Sequence, residues 1–221
     1  SQAFTITVSN TNDTPVLASI TDPSSVLEDG DNIVVAVSPT DIDAGASLTV
    51  TVTTNNGSLF PSGTITVSPE SGGTGVERTI TMDPPDNQNG TALVTVSVTD
   101  GSESVSQQFT TTVTAVNDAP TITSTADSTA TEDAAYSYTM TASDVDGGDI
   151  LTYAAPTIPS WLNFNASTHV LSGTPLNANV GDTTVVLTVT DDGEGTLQDS
   201  QTFAITVSNT NDTPVLPSIT D

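Results

Sequence analysis

Residues 200–214 read SQTFAITVSNTNDTP, and residues 1–15 read SQAFTITVSNTNDTP. In Phe4-Thr5-Ile6-Thr7-Val8 the apolar side chains fall on every second position, as they do from Phe203 to Val207. A period of two is that of a half-buried strand, whose side chains alternate between faces, and not of a helix. A looser copy, SQQFTTTVTAVNDAP, starts at Ser106 and repeats the alternation from Phe109 to Val113. The same alternation marks Ile33–Val37, Leu48–Val52, Ile65–Val67, Ile80–Met82, Leu93–Val98, Tyr136–Met140 and Val185–Val189. Turn-rich pieces such as EDGD, NNGS, SGGTG, DVDGGD and DDGEG separate them. No stretch holds a 3.6-residue apolar period long enough for a helix. Short, regularly spaced strands with turn signals predict an all-β chain built of β-sandwiches.

The three copies sit 105 and 94 residues apart, each spacing the size of one sandwich domain. The block therefore reads as the last strand of a domain plus the linker into the next. On this reading residues 1–13 are the last strand and linker of a preceding repeat. Residues 14–117 and 118–212 are two whole domains, and 213–221 begin a following one. The near-identity of the end copies suggests a window on a longer array with a two-domain period of 199 residues.

One Lys or Arg (Arg78) stands against 27 acidic residues, for a net charge of −26. Phosphate neutralisation needs basic side chains, so nucleic acid is excluded as a partner, and an anionic membrane surface repels the chain. No apolar run approaches the ~20 residues of a membrane span. Cysteine is absent, which excludes a disulfide scaffold but not an extracellular location. Abundant Ser, Thr, Gly and Asp raise low-charge disorder as an alternative, but the strict apolar patterning speaks against it. Trp161, Leu162 and Phe164 are expected to anchor the second core, with sugar stacking by Trp161 as the functional alternative. His169 is expected on a strand face as an ordinary side chain.

The acids cluster at strand ends, in the same order in both domains. A linker pair (Asn12-Asp13, Asn117-Asp118, Asn211-Asp212) precedes a Glu-Asp pair led by Glu28 or Glu132. Asp41-x-Asp43 or Asp144-x-Asp146 follows, and then a late Asp100 or Asp191. Two carboxylates ~4 Å apart repel by about 4 kcal/mol at an effective dielectric near 20. A hard cation with oxygen ligands removes that repulsion, and calcium takes six to eight such oxygens. One His and no Cys argue against zinc or copper. Plain turn formation explains one such cluster, but less readily an ordered series recurring in both units.

The linker NDxP, the early Glu, the Asp-x-Asp and the late Asp resemble the calcium motifs of cadherin-type domains. From NDAPTIT through PSWLNFN, HVLSGTP and LTVTDDG the second domain resembles dystroglycan-type cadherin-like repeats. The first resembles Ig-like and cadherin-like repeats of large bacterial adhesins. The resemblance implies tandem sandwiches in an elongated array with Ca2+ between successive domains. It implies one junction at Glu28, Asn117 and Asp118 with Asp144, Asp146 and Asp191. A second would use Asn12, Asp13, Asp41, Asp43 and Asp100, and a third Glu132, Asn211 and Asp212. The linkers depart from the cadherin pattern at Asn10, Ala115, Thr14 and Ala119. The mid-domain acidic motif is not recognisable, although Asp83 and Asp86 lie nearby in the first domain. About one or two ions per junction are therefore expected, at roughly 10⁻⁴ to 10⁻³ M affinity.

The function implied is mechanical. An extracellular or cell-surface extender, stiffened by calcium, would hold a binding tip away from the cell, its partners being neighbouring repeats. No nucleophile set, phosphate loop or covalent-catalysis Lys points to an enzyme. Carbohydrate or homophilic binding is one alternative. Another is a filament in which strand Phe4–Val8 completes the sheet of another copy.

Overall fold

The computed structural model describes residues 2–214. Residues 215–221, most of the expected following repeat, lie outside the described residues. The chain divides into two compact units, Ser1–Val116 and Asn117–Asp221. Both are built of strands, and no α-helix occurs among the described residues.

In the first unit β1 (Val26–Leu27), β2 (Ile33–Val37), β3 (Ser47–Thr54), β4 (Ile65–Ser68), β5 (Ser71–Gly73), β6 (Arg78–Met82), β7 (Gly90–Thr99) and β8 (Ser104–Thr114) form two sheets. Their orders are β1-β8-β7-β3-β5 and β2-β6-β4. The alternation read from sequence becomes the inside and outside of these sheets. Ile33, Val35 and Val37 point inward with Val50, Ile80, Met82, Val94, Val96 and Val98 in one core, while most of the intervening Thr and Ser lie on the outer faces and Thr111 is wholly buried. The only basic residue, Arg78, is wholly buried. Its guanidinium donates to the Val76 carbonyl and to that of Leu48 at 3.2 Å. The chain's one Lys or Arg thus leaves the surface to the acids.

The second unit holds β9 (Thr121–Ile122), β10 (Thr129–Thr131), β11 (Tyr136–Thr139), β12 (Ala142–Ser143), β13 (Thr152–Thr157), β14 (Leu162–Asn165), β15 (Val170–Gly173), β16 (Gly181–Thr190) and β17 (Gln198–Ser208). Its sheets run β10-β17-β16-β13, β11-β15-β14 and β12-β9. In each unit a short early strand pairs parallel to the last one: β1 with β8, and β10 with β17. Leu162 is buried, and Trp161 and Phe164 pack at the edge of the core. Trp161 meets Tyr136 edge-on, ring centroids 5.9 Å apart. The Trp161 carbonyl lies against Gly173, where a Cβ would come within 2.0 Å.

One expectation needs correction, and one segment read as a strand stands unpaired among the described residues. Phe4–Val8 forms no strand, and Phe4, Ile6 and Val8 are 82, 73 and 87 % exposed. Alternation supplies one apolar face, but a strand also needs a ladder partner and a core to cover. Phe203–Val207 has both in β16 and the second core. His169 lies in the β14–β15 turn at φ 57°, not on a strand face, and its ring stacks on Tyr153 at 3.7 Å.

Candidate metal centre

The linker residues of the second unit run past two loops, Asp144–Asp149 after β12 and Asp191–Gly193 after β16. The Asp118 N–H donates to Asp146 Oδ2 at 2.7 Å, and the Asp146 N–H to Asp144 Oδ1 at 3.0 Å. Asn117 Nδ2 donates to Asp191 Oδ2 at 3.1 Å, while Asp191 Oδ1 accepts the Gly193 and Leu197 N–H groups. These bonds shape the loops and leave other oxygens over. Asp144, Asp149 and Asp191 each offer one carboxylate oxygen, all within 4.8 Å of one another, and Asp191 is only 4 % exposed. The Oδ2 atoms of Asp144 and Asp149 are buried with no hydrogen-bond donor. Burial, then the charges of Asp144, Asp146, Asp192 and Asp191, push the Asp149 carboxyl above the usual carboxylate range. Gly193 makes the room. A Cβ there would stand 1.8 Å from Asn117 Oδ1 and 2.7 Å from Asp149 Oδ2.

The first unit repeats the scheme. The Asp13 N–H donates to Asp43 Oδ2 at 2.8 Å, the Asp43 N–H to Asp41 Oδ1 at 2.8 Å, and Asn12 Nδ2 to Asp100 Oδ2 at 2.8 Å. Asn10 Nδ2 also donates to Asp43. Asp41 Oδ2 is buried without a donor, as Asp144 Oδ2 is. The Glu103 and Ser102 N–H groups, with Asn12, hold the Asp100 carboxyl below its ordinary value. Asp-x-Asp aligned on Asp-x-Asp sets Ala46 against Asp149, so the third carboxylate of the second unit has no counterpart in the first.

Glu28 and Glu132 are equivalent too, 2 and 3 % exposed. Each backbone N–H reaches the end of its last strand, at the Thr114 and Ser208 carbonyls, both 3.0 Å away. Glu28 accepts the Val116 N–H at 2.9 Å and Asn89 Nδ2 at 3.0 Å, and Glu132 accepts the Thr210 N–H at 3.0 Å. Glu132, Asp133 and Asp212 each bring an oxygen within 4.8 Å of the others. Asn211 is exposed beside them, its Nδ2 at 3.5 Å from the Asp212 carbonyl.

The structure thus gathers Asn117, Asp118, Asp144, Asp146 and Asp191 in one group, and Asn12, Asp13, Asp41, Asp43 and Asp100 in another. Glu132 and Asp212 form a third. Glu28 sits with the last strand of its own unit. Sequence reasoning missed Asp149, and it named Asp133 only within the Glu132-Asp133 pair and not as a ligand. Comparing DVDGGD with DIDAGA would have shown the first as an extra acid. The donor set is all oxygen, and its buried, donorless atoms fit a hard divalent cation.

Residues 12–114 match the family model described as "Bacterial Ig domain", and residues 119–208 match the one described as "Putative Ig domain". Among solved structures, Drosophila N-cadherin EC1-4 is similar at 19% identity and TM-score 0.50, over 90% of this chain and 50% of that one. The extracellular cadherin domains 1-5 of protocadherin gamma B2 are similar at 18% identity and TM-score 0.51, over 91% of this chain and 41% of that one. An endo-fucoidan hydrolase of glycoside hydrolase family 107 aligns at 21% identity over 90% of this chain and 29% of its own, but its TM-score of 0.39 carries no argument. The chain therefore spans half or less of each of these structures. No curated protein matches it. The chain is a tandem of Ig-like, cadherin-like repeats, all-β in architecture.

Proposed function

We propose that this chain is an extender segment of a bacterial extracellular protein, and that calcium held beside its linkers stiffens it. One observation carries the reading. Asp41 and Asp144, at equivalent positions of the two units, each keep a buried carboxylate oxygen with no hydrogen-bond donor. Stranding a charged acceptor in this way is costly unless a cation joins it. Asp144, Asp146, Asp149 and Asp191, with Asn117 and Asp118, would hold an ion beside the second unit's linker, a set to which the cadherin resemblance adds Glu28. Asn12, Asp13, Asp41, Asp43 and Asp100 would serve the preceding linker. Glu132, Asn211 and Asp212 would serve the following one, with Asp133 added.

When bound, the ion supplies positive charge that offsets the mutual repulsion of the carboxylates. The protein's own part is to hold the linker against its loops. The Asp118–Asp146 and Asp13–Asp43 hydrogen bonds do this. A linker tied at both ends to the same ion loses its hinge freedom, and stacked repeats touching only their neighbours then act as a rod. A surface of net charge −26 keeps such a polymer soluble. The Ig-like repeat class supports a non-enzymatic, adhesion-type role outside the cell. Calcium titration followed by scattering tests the reading: the particle should lengthen and narrow with calcium. An unchanged profile would refute the stiffening.

A further inference from the structure

The dipeptide Asn-Gly occurs at Asn56-Gly57 and again at Asn89-Gly90, and the fold treats the two differently. We propose that Asn89-Gly90 is a site of spontaneous deamidation, and that its product breaks the tie through which Glu28 anchors the exit of the first unit.

The main-chain nitrogen of the residue after an Asn can attack the side-chain Cγ. The new C–N bond closes a five-membered succinimide, the attacking nitrogen gives up its proton, and the side-chain nitrogen leaves as ammonia. Water then opens the ring at either carbonyl, giving Asp or isoaspartate. The net change is one water in and one ammonia out, with an amide replaced by a carboxyl group. A side chain on the following residue hinders the attack, and glycine has none. Gly90 stands at φ 130° with nothing within 4 Å of the place a Cβ would occupy. Asn89 is exposed at the end of the loop between β6 and β7, so water reaches it. Its amide is held at one end only, by the bond from Nδ2 to Glu28 Oε2 at 3.0 Å.

Asn56 is half-buried and its amide is held at both ends. Its Nδ2 donates to the Thr91 carbonyl and its Oδ1 accepts the Leu59 N–H, each at 3.1 Å. Turning its Cγ toward the Gly57 nitrogen would break both bonds.

The consequence at Asn89 falls on Glu28, which is 2 % exposed and has both oxygens bonded. Oε1 takes the Val116 N–H at 2.9 Å, and Oε2 takes the Asn89 amide. Deamidation turns that donor into an acceptor. Oε2 loses its partner, and a second carboxylate faces it at close range, where like charges repel. The isoaspartate product also lengthens the main chain by one carbon just before Gly90, the first residue of β7, which pairs with Val113 of β8. Both changes loosen the end of β8 and Val116 beyond it.

The full chain is held folded at mildly alkaline pH in chelator, and again in denaturant, and the conversion of each Asn is followed by peptide mass mapping. In the folded chain Asn89 should convert several-fold faster than Asn56, and in denaturant the two rates should converge. A folded chain in which Asn56 converts as fast as Asn89, or in which Asn89 stays intact, would overturn the assignment. The consequence is read separately, by melting Asn89→Asp and Asn89→Ala in chelator at neutral pH. Both lose the donor to Glu28, but only the first adds a charge, so Asn89→Asp should melt below Asn89→Ala. An Asn89→Asp chain no less stable than Asn89→Ala would overturn the broken tie. Chelator throughout keeps both results independent of the calcium reading.

Discussion

The main-chain N–H of Asp118 is bound by the carboxylate of Asp146 at 2.7 Å, and the same bond joins Asp13 to Asp43 at 2.8 Å. Each Asp-x-Asp therefore divides its labour. The second Asp pins the linker, and the first keeps a buried oxygen that no hydrogen-bond donor reaches. Asp146→Ala should destabilise the second unit by about 1.5–3 kcal/mol even in chelator, the usual worth of a charge-assisted hydrogen bond. Asp144→Asn should cost little in chelator and abolish calcium-dependent stabilisation. Denaturant unfolding under both conditions separates the two effects.

Asp149 is the third carboxylate of a crowded group, with its carboxyl pushed upward by burial and by four neighbouring acids. Asp149→Ala, which copies Ala46 of the first unit, relieves that repulsion. Its melting temperature in chelator should rise above that of the parent, and its calcium affinity should fall. A titration calorimeter and a melting curve read both signs. A variant less stable in chelator would show that Asp149 is held by something other than a metal.

Gly193 stands where Asn117 and Asp149 converge. Gly193→Ala drives a methyl into the Asn117 amide oxygen. Because that atom ends a mobile side chain, the stability loss should stay near the low end of the ~1–3 kcal/mol typical of overpacking. The calcium response of the second unit should nonetheless disappear.

Tyr136 donates to the Asp127 carbonyl at 2.7 Å, and burial, then Asp127 and Tyr138, push its phenol up to about 12. Between its ordinary value near 10 and that value, the unfolded chain has released a proton that the folded one retains. Unfolding is therefore increasingly favoured as pH rises through this window. Absorbance titration of the tyrosinate band should show a late component that Tyr136→Phe removes.

Much of the fold was legible because a two-residue period translates directly into the faces of a sheet: Ile33–Val37 and Val185–Val189 are strands as read. Phe4–Val8 has the same period but no ladder partner among the described residues, since pairing belongs to neighbours rather than to the segment. The ordered acids named most of the candidate site, because loop spacing fixes Asp144 against Asp146 locally. Asp149 was missed because a single acid in a glycine-rich turn carries no period, and only a comparison of DVDGGD with DIDAGA sets it apart before the fold places it beside Asp191. Asn89 escaped for a related reason. Its contact with Glu28 spans 61 residues of chain and is made by the fold.

The most direct test is thermal unfolding of the full chain in millimolar calcium and again in chelator. Calcium at ten times its dissociation constant stabilises by about 1.4 kcal/mol per site. For domains of this size that raises the midpoint by roughly 5–10 °C. A rise of that order, lost in Asp144→Asn, is the result this account predicts. Superimposable curves would contradict it, leaving the acids as turn formers on a solubilising surface.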